Sequence, residues 1–273
     1  MAPFLIAFSL FFVFPAAYSL YLSFTSYRGY GPIHWTGLNN YLTILSYGVF
    51  WETLKNSAFY WVAHAIPMMT LSLTLALIVR AQLVAWIGAF RIFVFLPYLL
   101  ATVAAAMVFQ NMFGEHYGII NSVFGLNVAW LRDPSVAPWT LVAVLIWRNT
   151  GYWFVVFLAA LTSVPSEVEE AAMIDGANSL QRLHYIILPI IRPTILFAVL
   201  VDAIMSVRLY AEPNVLLGAY GSPAPVSVAP ILNLVVTQIQ GGHFGLAATA
   251  GWLLFLTTGI ISVAISSILR PQK

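Results

Sequence analysis

The chain contains no cysteine. Disulfides, Cys-ligated zinc and thiol catalysis are therefore excluded. Charge is nearly as scarce: Asp, Glu, Lys and Arg make up 7% of the residues, against about a quarter in a soluble domain. Lysine occurs only at Lys55 and Lys273. Neither sits in the G-x-x-x-x-G-K-[ST] context of a phosphate-binding loop. No H-E-x-x-H or His-x-x-x-Asp pair is present, which leaves an intramembrane enzyme without a catalytic dyad. A net charge of +2, scattered along the chain, offers nothing to nucleic acid. Internal repeats and low-complexity tracts are absent too.

What is present is apolar. Hydrophobic residues make up 61% of the chain and the mean hydropathy is +0.90, the composition of an integral membrane protein. A helical span needs about 20 mostly apolar residues. Six such stretches are readable, at 4–22, 56–79, 90–112, 139–161, 194–217 and 246–269. Together they predict an all-α protein forming a single transmembrane domain over 1–273. The fifth stretch is the least regular, because it carries Asp202, Arg208 and Glu212.

Six spans put both termini on one side. With the termini inside, the inner segments hold Arg80, Arg91, Arg182, Arg192, Arg270 and Lys273, and the outer loops hold Arg28, Lys55 and Arg132. Six against three obeys the positive-inside rule and makes both termini cytoplasmic. The first stretch has Ala16-Ala17 where a signal peptide could be cleaved, but no basic residue precedes Arg28, which argues against that reading. Of the outer loops, Thr25–Leu54 carries Tyr27, Tyr30, Trp35, Tyr41, Tyr47 and Trp51, suited to an interfacial element against lipid headgroups. Gly114–Pro138 and Gly218–Phe244 form the others. His116 and His243 are too isolated there for a metal site, and His64, beside Pro67, reads as a packing histidine.

One polar island interrupts this pattern. Glu167, Glu169, Glu170 and Asp175 fall within nine residues, between the fourth and fifth spans. Ser166 and Glu169 have the S-x-x-E form of a capping box, so a helix should begin near Glu167. Val168, Ala171 and Ala172 share its face, with Ile174 at the edge. Gly176 can supply a left-handed turn that ends it. A second short helix fits Ser179–Leu188, with Pro189 as its limit.

The elements Glu170-Ala171-Ala172, Gly176 and Leu188-Pro189, with Asp175, Ala177, Ile186 and Pro193, resemble the EAA loop of permease subunits of binding-protein-dependent ABC importers. Leu183 departs from the phenylalanine usual there. Phe14-Pro15, Gly37-Leu38-Asn39-Asn40-Tyr41, Phe95-Leu96-Pro97 and Val164-Pro165 extend the resemblance along the chain, toward permeases for maltose-type oligosaccharides, other sugars or glycerol phosphate. The resemblance implies a cytoplasmic coupling loop at 163–193, with Glu170, Ala171, Ala172, Asp175, Gly176, Ala177, Leu188 and Pro189 as its ATPase-coupling residues. It further implies a bacterial or archaeal cytoplasmic membrane and a heterotetramer with a second permease and two ATP-binding cassette subunits. An extracytoplasmic binding protein would deliver a carbohydrate. ATP and magnesium would belong to the ATPase, and this chain would hold no cofactor or metal.

Polar residues inside spans usually face a cavity or a partner. Arg148, Asn149, Tyr152 and Trp153 lie in the fourth span. Asp202, Arg208, Tyr210, Glu212 and Asn214 lie in the fifth, where Pro213 should disrupt the helix. Arg208 and Glu212, at i and i+4, could pair on one helix face. This set suits a sugar pathway, and the resemblance points to the same two spans. An ion-coupled secondary transporter or channel is the competing reading, with Asp202 as its membrane carboxylate.

Overall fold

Proline sets the course of the helices in this chain. The computed structural model describes residues 2–115, 117–218 and 222–268. His116, Arg270, Lys273 and the end of the sixth predicted span at Leu269 lie outside the described residues, as does part of the Gly218–Phe244 loop. Helices follow in the order α1 (Pro3–Ser23), α2 (Asn39–Ser46), α3 (Gly48–Arg80), α4 (Ile87–Leu99), α5 (Thr102–Met112) and α6 (Ile119–Phe124). Next come α7 (Ala137–Leu161), α8 (Ser166–Ile174), α9 (Ser179–Val207), α10 (Ala211–Leu217), α11 (Ile231–Gln240) and α12 (Phe244–Ile268). Five of them (α1, α3, α7, α9, α12) are long and apolar enough to cross a membrane, and α4 with α5 can form a sixth span.

Two π turns accommodate Pro15 in α1 and Pro189 in α9. Ser9–Val13 and Leu183–Ile187 are each wound as a π turn, closed by Phe14 N–H to the Ser9 carbonyl and by Leu188 N–H to the Leu183 carbonyl. Pro15 and Pro189 follow immediately. A proline ring collides with the carbonyl four residues back, and a wider turn moves that carbonyl aside. Pro189 therefore does not stop the second arm of the island, as the sequence suggested. The helix runs from Ser179 through Pro189 and Pro193 to Val207, so the long apolar helix begins and ends earlier than the run at 194–217.

The third predicted span is also altered. It bends by 93° between Leu99 and Thr102. Pro97 removes an N–H from the last turn of α4, and Leu100 leaves the helix with extended backbone, φ −68° and ψ 138°. At the other extreme, α3 is 33 residues long. That is about 50 Å, well beyond a hydrocarbon core of about 30 Å.

The chain divides into two compact units, residues 1–59 with 206–263 and residues 60–205 with 264–273. In the first, Ile44, Phe50, Ile231, Leu234 and Ala250 form the core. Polar groups tie its segments together: Asn40 Nδ2 donates to the Ser23 and Thr25 carbonyls at 2.9 and 2.7 Å, and Thr249 Oγ1 donates to the Ser23 carbonyl at 2.9 Å. In the second, Met68, Ala76, Trp153, Phe154, Phe157, Leu161, Ile187 and Ile191 are buried together. Ser72 Oγ donates to the Thr150 carbonyl at 2.9 Å. Ahead of α7, the amide and hydroxyl of Ser135 both donate to Asp133 and hold that exposed carboxyl below its usual pKa range.

Gly151 lets α7 pack directly against the backbone of α4. A Cβ there would stand 2.8 Å from Phe95 Cα and closer still to the Val94 carbonyl oxygen. Backbone cannot yield as a side chain can. Gly151→Val should therefore lower the thermal stability of the detergent-solubilised protein by the equivalent of about 1–3 kcal/mol. An unchanged melting temperature would contradict this packing.

Candidate functional site: a glycine-closed elbow and a polar bend

The acid island folds as an elbow. α8 starts at Ser166, with Pro165 at its N-cap position and no side-chain cap. The capping box expected from Ser166 and Glu169 is thus not formed. Pro165 already supplies the extended residue before the helix, and the Glu169 carboxylate turns instead to the Arg80 guanidinium. The capping box belongs to the second arm. Gln181 N–H donates to Asn178 Oδ1 at 2.9 Å, and Asn178 N–H to Gln181 Oε1 at 2.8 Å.

Between the arms the chain closes in a Schellman turn. Ala177 N–H donates to the Ala172 carbonyl at 2.9 Å and Gly176 N–H to the Met173 carbonyl at 3.1 Å, with Gly176 at φ +83°. Open space surrounds the position a Cβ would take at Gly176, so its backbone conformation alone demands glycine. Glu170, Ala171 and Asp175 are exposed at the elbow, while Ala172 and Ala177 are half-buried. Large apolar side chains stand out beside them: Ile174 is 87% exposed and Leu180 76%. Behind them Ile187 and Ile191 are buried in the core, Leu188 is half-buried and Pro189 is exposed.

A second polar grouping sits at the α4–α5 bend. Arg148 Nη2 donates to Thr102 Oγ1 at 2.6 Å, and the guanidinium lies 5.9 Å from the Tyr98 ring centre. Tyr98 stacks on Tyr152 with ring centres 5.0 Å apart. Arg148, Asn149, Tyr152, Tyr98 and Thr102 are all half-buried. Trp153, by contrast, is only 1% exposed and packs into the core. Tyr98 and Thr102 escape a reading by span, because the bend that gathers them is invisible in an apolar run.

In the other compact unit the helix breaks at 208–210, upstream of Pro213, which sits in the first turn of α10 where its missing N–H is harmless. Arg208 is exposed outside the helix, so it does not share a helix face with Glu212, which is buried. Tyr210 is half-buried. Asn214 uses all of its side-chain hydrogen-bonding capacity: it donates to the Tyr210 carbonyl at 2.7 Å and to Asn233 Oδ1 at 3.1 Å. It also accepts from Ala224 N–H and Asn233 Nδ2, each at 2.8 Å. It clamps the loop that follows α10.

Asp202 meets a partner not foreseen from the sequence. His64 Nε2 lies 3.3 Å from Asp202 Oδ1, with both residues buried, and His64 Nδ1 lies 2.6 Å from the Tyr60 carbonyl. A carbonyl only accepts, so Nδ1 carries a proton. The imidazole–carboxyl contact then needs one more, on Nε2 or on the carboxyl. The signal was available, since two ionisable residues in apolar spans are each unaffordable alone.

Residues 73–272 match the family described as the binding-protein-dependent transport system inner membrane component. The chain belongs to that family. It is 30% identical to the lactose transport system permease protein LacF of Rhizobium radiobacter, over 100% of this chain and 93% of that protein. It is also 30% identical to the arabinooligosaccharides transport system permease protein AraP of Halalkalibacterium halodurans, over 96% and 84%. The fold is similar to that of a bacterial ABC transporter involved in the import of the acidic polysaccharide alginate, with a TM-score of 0.84 and 22% identity over 98% of this chain and 92% of that one.

Removing the Asp202 side of the buried pair should be felt. Asp202→Leu should lower stability in detergent by about 1–3 kcal/mol, because it strands the imidazole. Asp202→Asn, which can still donate to Nε2, should lose less. Equal melting temperatures for the Leu variant and the wild type would contradict the pairing.

Proposed function

We propose that this chain is one permease of an importer that carries a sugar or related carbohydrate across the cytoplasmic membrane by alternating access, driven by ATP hydrolysis on separate subunits. The observation that carries the proposal is the elbow. Its Schellman turn and second-arm capping box make it rigid, yet Ile174 and Leu180 protrude from it beside Glu170 and Asp175. Exposed apolar side chains rimmed by charge are what a partner's groove covers. On this reading Glu170, Ala171, Ala172, Asp175, Gly176 and Ala177 meet the ATPase, and α9 carries the motion onward through Leu188-Pro189.

The excess of basic residues on the elbow's side supports a cytoplasmic location for it and for both termini. A second permease subunit is supported by α1, an apolar helix none of whose residues from Phe4 to Leu22 is buried within this chain. The permeases for lactose and arabinooligosaccharides support carbohydrate as the substrate class. A related alginate transporter, solved in complex with an alginate pentasaccharide-bound periplasmic protein, supports delivery by an extracytoplasmic binding protein. ATP and magnesium then belong to the two ATPase subunits.

For the pathway we favour the polar bend. Arg148 and Asn149 offer hydrogen bonds to sugar hydroxyls, and the stacked Tyr98–Tyr152 pair offers faces to the C–H side of a pyranose ring. Asp202 in the same unit, and Arg208, Tyr210 and Glu212 in the other, are separate further candidates.

Gly176→Val should leave membrane insertion intact while the permease loses its ATPase on purification and uptake falls to background. Wild-type uptake of labelled lactose, maltose or arabinooligosaccharide by that variant would count against the elbow as the coupling element. Tyr98→Ala should raise the sugar concentration needed for half-maximal uptake about ten-fold, the scale of one lost stacking contact in a binding site. Unchanged concentration dependence would remove Tyr98 from the pathway.

A further inference from the structure

Glu169 stands apart from the other acids of the island. Glu167, Glu170 and Asp175 are exposed, while Glu169 is half-buried and paired with Arg80. Arg80 is the last residue of α3, where a cation also complements the helix dipole, and Glu169 lies in the first turn of α8, where an anion does. Arg80 Nη2 further donates to the Val164 carbonyl at 3.4 Å, in the connection between α7 and α8. Val164 is itself buried in the core beside Val79 and Leu161. One guanidinium thus holds both the approach to the elbow and its first arm.

The second arm is tied to the same helix. α9 continues from the elbow to Asp202, which meets His64 on α3. His64 and Arg80 are sixteen residues apart on one continuous helix, roughly 24 Å along its axis. The circuit closes: α3, Arg80–Glu169, α8, the Gly176 turn, α9, Asp202–His64, and α3 again.

We infer that Arg80 is a positioning residue for the coupling elbow. It sets the orientation of α8 from α3 through Glu169 and the Val164 carbonyl, and so presents Ile174, Leu180 and Glu170 to the ATPase. Glu169 serves the strut, and the neighbouring Glu170 serves the docking face. The inference rests on the docking role proposed for the elbow.

The test is a double-mutant cycle on ATPase binding, which needs no knowledge of the sugar. The permease pair, purified in detergent, is titrated with its ATPase subunit, with gel-filtration profiles checking that each variant stays assembled. Arg80→Ala and Glu169→Ala should each weaken binding about ten-fold, a usual size for coupling between sites. The double variant should be no weaker than either alone. The charge-reversed pair Arg80→Glu with Glu169→Arg should recover part of the loss, since it restores the ion pair but neither the bond to the Val164 carbonyl nor the helix-end charges, and any recovery also answers misfolding of the single variants. Weak binding by Glu169→Ala with Arg80→Ala unaffected would mean that Glu169 touches the ATPase directly, and would overturn the strut. Wild-type binding by both variants would overturn it as well, while the coupling role stands if Gly176→Val still loses the ATPase. Failure of the wild-type pair to bind the ATPase would remove both.

Discussion

A buried polar group must find a hydrogen-bond partner, in the protein interior as in hydrocarbon, and that constraint organises this protein. Asn40, Ser72 and Thr249 each donate to a carbonyl outside their own helix, while Asn214 and Asn233 satisfy one another. Arg148 finds Thr102, and His64 finds Asp202. Each of these contacts joins segments distant in sequence, so the scarce polar residues act as the rivets of a chain whose apolar surface is nearly uniform. Apolar packing alone leaves helices free to rotate and slide, because lipid tails are as apolar as leucine. The polar contacts remove that freedom.

The same constraint governs the prolines. A proline inside a span leaves a carbonyl without its donor, and here the backbone responds in three ways. It widens into a π turn before Pro15 and Pro189, bends by 93° after Pro97, and absorbs Pro213 in a first helical turn, while α3 and α9 run on through Pro67 and Pro193. The functional candidates lie beside these adjustments. The π turn at Leu183–Ile187 joins the elbow to α9, and the bend after α4 gathers Tyr98, Thr102 and Arg148.

Much of this was legible from residues alone. Helices α1, α3, α7 and α12 coincide with the first, second, fourth and sixth apolar runs over the described residues, since length and hydropathy are local properties. The elbow's first helix and its glycine turn were also readable, because Gly176 has no neighbour to override its backbone preference. The errors share one cause. Reading Ser166–Glu169 as a capping box overlooked Arg80, distant in sequence, which claims Glu169. Reading Pro189 as a stop overlooked the π turn that accommodates it. Placing Arg208 and Glu212 on one helix face presumed a continuous helix where the chain breaks at 208–210. In each case a tertiary contact or a backbone adjustment outweighed a rule that looks only a few residues along the chain.

The central claim is that ATP hydrolysed by a partner drives transport through this chain. Reconstituting the permease pair and its ATPase in vesicles, with the binding protein and a labelled sugar outside, tests it most directly. The account predicts accumulation that requires ATP on the elbow's side, stops with vanadate and persists when ionophores collapse the ion gradients. Sugar uptake by the permease without any ATPase, abolished by those ionophores, would contradict it.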